Sequence, residues 1–196
     1  MLEPVRVRLL GGFGVSVGRR IVGEDAWRLR KAATLVKLLA LAEGHRLHRE
    51  QAMGQLWPDL APRAAHNNLR QVLHAARGAL ASYVSVAPPY LRVHDGWLTL
   101  CPDGDLWVDV EAIEEAARTA GRVGEPAPYR AAIDLYAGEL LPADRYAEWA
   151  EEKREALRQT YITLLVELAA VMNIAGDESG WADVPALDGS VRIDRT

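Results

Sequence analysis

The amino-acid sequence predicts an α+β N-terminal part followed by an all-α C-terminal part, and three observations predict it. Short alternating apolar segments bracket three helical segments within residues 1–102. From 106 to 174 the apolar spacing is helical throughout. The charge divides in the same place. Residues 1–100 carry 14 Lys and Arg against 7 Asp and Glu, together with all five His; of the chain's 23 basic and 27 acidic groups, 9 and 20 are left for residues 101–196. Such opposition suggests two modules, the first suited to a polyanion and the second held away from it.

Each strand and helix has its own signal. Val5, Val7 and Leu9 alternate with Arg6 and Arg8, residues 11–14 (GGFG) interrupt, and residues 15–17 and 21–22 resume after a turn at 18–20. This predicts a small antiparallel sheet. The glycines fit neither G-x-G-x-x-G nor a Walker A spacing, so no phosphate loop is expected. Residues 26–42 form a helix with Leu29, Ala32, Ala33, Val36, Leu39 and Ala40 inward and Arg28, Arg30, Lys31 and Lys37 off that stripe. Residues 49–57 form a shorter helix that Pro58 ends. The third helix, 64–80, buries Ala65, Leu69, Leu73, Ala76 and Leu80. Its other face carries Asn67, Asn68, Arg70, Gln71, His74 and Arg77 and no carboxylate. Amides and guanidinium groups pair with adenine and guanine edges in a major groove, so this reads as a recognition helix. Three helices of these lengths, the last basic, have the layout of a helix-turn-helix core. After Pro88 and Pro89, residues 90–93 and 97–100 flank Asp95-Gly96, a preferred hairpin pair, where a wing belongs; Arg92 and His94 fall near its tip.

Residues 101–105 mark the expected boundary between the parts. Beyond it come an acidic amphipathic helix over 108–120 with Asp109 as N-cap, a short helix over 129–136, and a long helix over 147–173. Residues 175–196 show no period and are expected to be an irregular tail.

Several function classes are disfavoured. The composition, 49% hydrophobic and 26% charged, is that of an ordinary globular chain. It has no apolar run of membrane-spanning length and no signal-peptide core at its start, and its lone Cys101 fits a reducing compartment. A cytoplasmic protein without a membrane partner is expected. His45 and His48 lie three apart but no Cys or carboxylate cluster joins them, so neither metal nor cofactor is expected. The paired carboxylates Glu114-Glu115 and Glu151-Glu152 lie on helix surfaces with no apolar pocket to raise a pKa, so no enzyme is expected. Trp57, Trp97, Trp107 and Trp149 are assigned to the core.

Residues 31–42 (KAATLVKLLALA), 48–58 (HREQAMGQLWP) and 67–80 (NNLRQVLHAARGAL) resemble the OmpR/PhoB-type winged helix-turn-helix domain. Residues 107–115 (WVDVEAIEE), 132–142 (AIDLYAGELLP) and 148–158 (EWAEEKREALR) resemble the bacterial transcriptional activator domain. The pairing is similar to the SARP type of bacterial transcriptional activator, over residues 5–172. The resemblance implies a winged helix-turn-helix domain over 1–102, a partial tetratricopeptide-like helical domain over 106–174, and a sequence-specific activator that binds promoter repeats in double-stranded DNA and recruits RNA polymerase. It gives Asn67, Asn68, Arg70, Gln71, His74 and Arg77 the base-reading role, with the wing at 90–100. Lys31, Arg49, Arg63, Arg92 and His94 become phosphate or wing contacts, and Pro58, Asp59 and Leu60 the polymerase-contact loop. The alternative is a helical protein-interaction scaffold whose winged part does not read DNA. The chain departs from the family in lacking further helix pairs after the long helix, and Ala75, Ala76 and Gly78 make the end of the recognition helix smaller and less basic. Because Leu164, Leu165, Val166, Leu168, Ala169, Val171 and Met172 surround much of the long helix, a homodimer through the helical part is expected.

Overall fold

The structure, a computed structural model, describes residues 3–81 and 90–175. The spacer at 88–89 and the tail from 176 onward lie outside the described residues. The fold is mixed α/β, with two sheets and six α-helices among the described residues.

Strand β1 (Val5–Arg8) pairs antiparallel with β2 (Gly14–Val17), and β2 with β3 (Arg20–Val22). Val5, Val7, Val15 and Val17 point inward, as the alternation requires. A fourth strand is unexpected. Strand β7 (Leu106–Val108), which follows the three strands of the second sheet in the chain, lies parallel to β1, with Val5 opposite Leu106 and Val7 opposite Val108. The boundary foreseen at 101–105 is therefore followed at once by a return into the N-terminal sheet.

Helix α1 (Arg30–Leu41) is shorter than the 26–42 foreseen. Residues Glu24–Ala26 make a 3-10 turn instead, Trp27 packs on Phe13 with ring centroids 5.4 Å apart, and Leu29 is extended and 40% exposed. Leu35 takes the inward place assigned to Leu29. Lys37, expected outside, is buried, with Nζ 2.5 Å from Asp144 and 4.7 Å from the Phe13 ring centre. Strand β4 (Arg46–His48) leads into α2 (Arg49–Leu56), which opens on a capping box: His48 Nδ1 accepts from the Glu50 N–H, and Gln51 Oε1 accepts from the His48 N–H. Helix α3 (Pro62–Leu80) follows. Strands β5 (Leu91–His94) and β6 (Trp97–Leu100) form the expected hairpin, with β4 on the outer side of β6. Asp95 and Gly96 both have positive φ, 48° and 79°, as a tight two-residue hairpin turn demands.

The C-terminal part contains α4 (Asp109–Val123), α5 (Pro126–Asp134) and α6 (Glu148–Ala175). The second of these begins at Pro126 rather than at Tyr129, because Gly124 closes α4 in the left-handed region and Pro126 can open the next helix at once. Asp109 is not the N-cap; Val108 is. The Asp109 side chain is buried and turns back to the sheet: Oδ2 accepts from the N–H groups of Leu9 and Leu10 at 2.8 and 2.9 Å, and Oδ1 from Val110 at 2.9 Å. Nearby, Leu10 bridges to Leu140, and Gly11 and Gly138 pack so closely that a Cβ on Gly11 would lie 2.6 Å from the Ala137 carbonyl oxygen. Arg154 is also buried and donates to the carbonyls of Leu140 and Asp144. The buried residues of both parts form one continuous core.

The long helix is covered more fully than its sequence suggests. Leu164, Leu168 and Met172 are buried, and Leu165 and Val171 pack against the core, while Tyr161 stacks on Tyr136 at 4.2 Å. Of the seven residues from which a homodimer was inferred, Val166 alone is a large side chain left open, at 63% exposure; Ile162 one turn earlier is 39% exposed. The apolar surplus that argued for a dimer is thus met mostly within the chain, and that argument fails. Among the described residues no helix is long and apolar enough to cross a membrane.

Two outcomes test this packing. Leu168→Ala is expected to cost about 2–5 kcal/mol and Val166→Ala to change stability by less than ~0.5 kcal/mol, read from urea midpoints; equal losses would mean α6 is covered differently. Burial holds the Asp109 carboxyl above its usual range, the three N–H donors pulling the other way. A carboxyl with a higher pKa folded than unfolded favours the folded chain at low pH, and this contribution disappears as the pH rises through the folded value. Asp109→Asn sets an amide against at least one buried N–H and is expected to cost about 1–3 kcal/mol. It also removes that pH-dependent contribution, so the difference from wild type grows toward acid; a difference constant across the acid range would contradict the assignment.

Candidate nucleic-acid interface

Helix α3 presents the two faces its spacing foretold. Pro62 occupies the first position, where a missing N–H costs nothing. Ala65, Leu69, Val72, Leu73, Ala76, Ala79 and Leu80 are buried against α1, α2 and the hairpin. Arg63, Asn67, Arg70, Gln71, His74 and Arg77 are exposed, and Asn68 is half-buried at the edge of the face. His66, which the sequence reading passed over, is exposed in line with them. No carboxylate lies anywhere along the helix.

The neighbouring cations are not all free. Arg77 Nε donates to the Leu91 carbonyl at 2.9 Å, so its guanidinium ties α3 to the first strand of the hairpin. Lys31 Nζ donates to the Leu56 carbonyl at 2.6 Å, where a cation suits the C-terminal end of α2. Arg92 pairs with Asp103, and His94 Nε2 lies 3.2 Å from Asp95. Arg49 is exposed at the start of α2, whose first N–H donates to the Gly96 carbonyl and so fixes that helix end against the hairpin turn. Arg63 is exposed at the start of α3. Of the five residues assigned to phosphate or wing contacts, Arg49 and Arg63 thus have no hydrogen bond or ion pair from their side chains among the described residues, whereas Lys31, Arg92 and His94 have local partners.

The loop between α2 and α3 is an exposed turn closed by the Leu60 N–H on the Trp57 carbonyl. Pro58, Asp59 and Leu60 all face solvent, with Leu60 38% exposed.

Two features were missed in the sequence. Arg20, read only as part of a turn, donates through Nη2 to the carbonyls of Ala79, Leu80 and Ala81 at 3.0 to 3.3 Å and so caps α3. The signal lay 59 residues away in the chain, where no local pattern could show it. Trp97, assigned to the core, is 37% exposed on the outer hairpin face, with the Arg46 guanidinium 4.1 Å from its ring centre and His48 edge-on at 5.5 Å. Between residues 25–29 and α3 runs a groove of about 800 Å³ that takes Arg70, Gln71 and His74 into one wall and Arg28 into the other. Among the described residues no group of three or more His, Cys, Asp or Glu is placed to hold a metal.

No family model matches the chain, and no curated protein matches its sequence. Among solved structures it is similar to EmbR of Mycobacterium tuberculosis, in a structure of that protein with a low-affinity phosphopeptide. The identity is 17% and the TM-score 0.69; the match covers 89% of this chain and 47% of that one. At this identity the likeness is one of fold, and this chain spans about half the length of that protein.

Arg20→Ala is expected to destabilise the chain by about 1 kcal/mol, through three carbonyls left to water and a lost cation at a helix C-terminus. Thermal unfolding measures it; a variant as stable as wild type would show that the cap contributes nothing.

Proposed function

We propose that the chain is a sequence-specific DNA-binding transcriptional regulator of the activator type, with a winged helix-turn-helix part that ends in the wing β5–β6 and a tetratricopeptide-like helical part behind it. The carboxylate-free outer face of α3 is the observation that carries this reading. A helix exposed over Asn67, Arg70, Gln71 and His74 offers amide and guanidinium pairs for adenine and guanine edges, and its buried stripe holds it as a rigid ridge. Asn68, at the margin, reaches a base only from the side. Arg63 and Arg49 flank the ridge and supply phosphate contacts, which fix register without reading sequence. Arg77 acts through the wing, since its guanidinium positions β5. The exposed turn at Pro58, Asp59 and Leu60 is the surface offered to RNA polymerase. The acidic helical part faces away from DNA, as its charge requires.

The fold shared with EmbR supports this reading at the level of architecture. A scaffold whose winged part does not read DNA is the competing proposal. It has no use for a helix face on which every charge is positive.

Duplex affinity measured by fluorescence anisotropy decides between them. Affinity is expected to fall steeply with salt, because basic side chains displace counterions. Arg70→Ala is expected to weaken a selected duplex by roughly 1–3 kcal/mol and to relax preference at one position, whereas Arg49→Ala weakens all duplexes alike. Affinity that is flat in salt would reject DNA binding; sequence-independent losses for both variants would remove Arg70 from base reading.

A further inference from the structure

The outward face of α3 does not account for the groove beside it. Residues 25–29 leave the end of β3 through the 3-10 turn and reach α1 in an extended conformation. Trp27 anchors this stretch on Phe13, which leaves Arg28 exposed on its outer side. Across the groove stand Arg70 and His74, with the small Ala75 and Ala79 low in the wall. A Cβ added at Gly78 would meet nothing within 4 Å, so the trench is open at that end.

Its lining carries two arginines against one carboxylate. Among the described residues neither Arg28 nor Arg70 nor His74 has an ion-pair partner, and Asp25 is the only carboxylate in the lining. An arginine with no ion-pair partner in a concave surface favours an anion, and a guanidinium matches the oxygens of a phosphate two at a time. Because Arg70, Gln71 and His74 belong both to the groove and to the proposed reading face, an extended polyanion lying on that face continues into the groove.

We propose that the groove between residues 25–29 and α3 seats the sugar–phosphate backbone of the strand that α3 reads, with Arg28 holding a phosphate across from Arg70. This rests on the DNA-reading proposal. Arg28 is then a positioning contact: it sets how deeply α3 enters the major groove, and it carries no base preference of its own. Asp25 opposes it and limits the affinity of the site. The small residues Ala75, Gly78 and Ala79 in its lining keep the trench wide enough for a strand.

The experiment uses the full chain with two duplexes of equal length, one selected from a random pool by repeated binding to wild type and one unselected. Arg28→Ala and Asp25→Asn are titrated with each across a salt series. Both side chains are exposed, and circular dichroism confirms the folded state. Arg28→Ala is expected to weaken both duplexes alike, roughly tenfold at low salt, and to make the dependence of log affinity on log salt shallower by about one. Asp25→Asn is expected to tighten both. With a wild-type chain that binds DNA, any other pattern overturns the proposal, including unchanged affinities or a loss confined to the selected duplex. A wild-type chain that binds neither duplex in a salt-dependent way overturns the DNA-reading proposal itself.

Discussion

The carboxylate of Asp109 is the point on which the two parts of the molecule depend. Sheet strand β1 ends at Arg8, and the chain beyond it must turn without leaving its N–H groups bare. Asp109 supplies the acceptors for Leu9 and Leu10 from the first turn of α4, a hundred residues on. The parallel pairing of β1 with β7 brings Asp109 to that place, since β7 ends at Val108. A desolvated carboxylate is costly alone and acceptable here because three backbone donors converge on it. Around this joint lie the close approach of Gly11 to Gly138 and the part-buried pair of Lys37 with Asp144. The result is two sheets, a three-helix layer and a helical array with one shared interior.

That joint also determines what α3 can present. Helix α1 is gripped from the C-terminal side through Lys37 and from α2 through Lys31, and α3 packs on both helices. Arg20 and Arg77 then fasten the last turns of α3 to the N-terminal sheet and to the hairpin. Four cations on the basic half are thereby committed to holding α3 still. A rigid ridge meets a groove at a lower ordering cost than one that must settle on contact.

Much of this was legible in the sequence. The stripe and the outer face of α3 follow from a 3.6-residue period, and the hairpin from Asp95-Gly96 between aromatic and β-branched neighbours. Local patterns fail where distant chain segments decide. Lys37 reads as a surface residue because its partners, Phe13 and Asp144, lie far away in sequence. Asp109 resembles an N-cap because an acid before a helix usually is one, but its acceptors are claimed by Leu9 and Leu10. Residues 26–29 carry helical spacing, yet Trp27 packs on Phe13, distant in sequence, and Leu29 is extended ahead of α1. Met172 and Leu168 looked surplus because helices α4 and α5, which cover α6, cannot be placed from spacing alone.

The position of β7 bears on how such a chain can be divided or recombined. Composition invites a cut near residue 102, between a basic half and an acidic one. A fragment ending there would carry β1 as a raw sheet border, with the Leu9 and Leu10 amides unsatisfied and the inward valines losing a neighbour. Such borders recruit strands from other molecules. The transplantable unit therefore extends at least through Asp109. A chimaera that swaps the helical part has to keep the short return strand and its aspartate with the N-terminal sheet, so the natural seam of the molecule falls inside what the charge pattern marks as the second module.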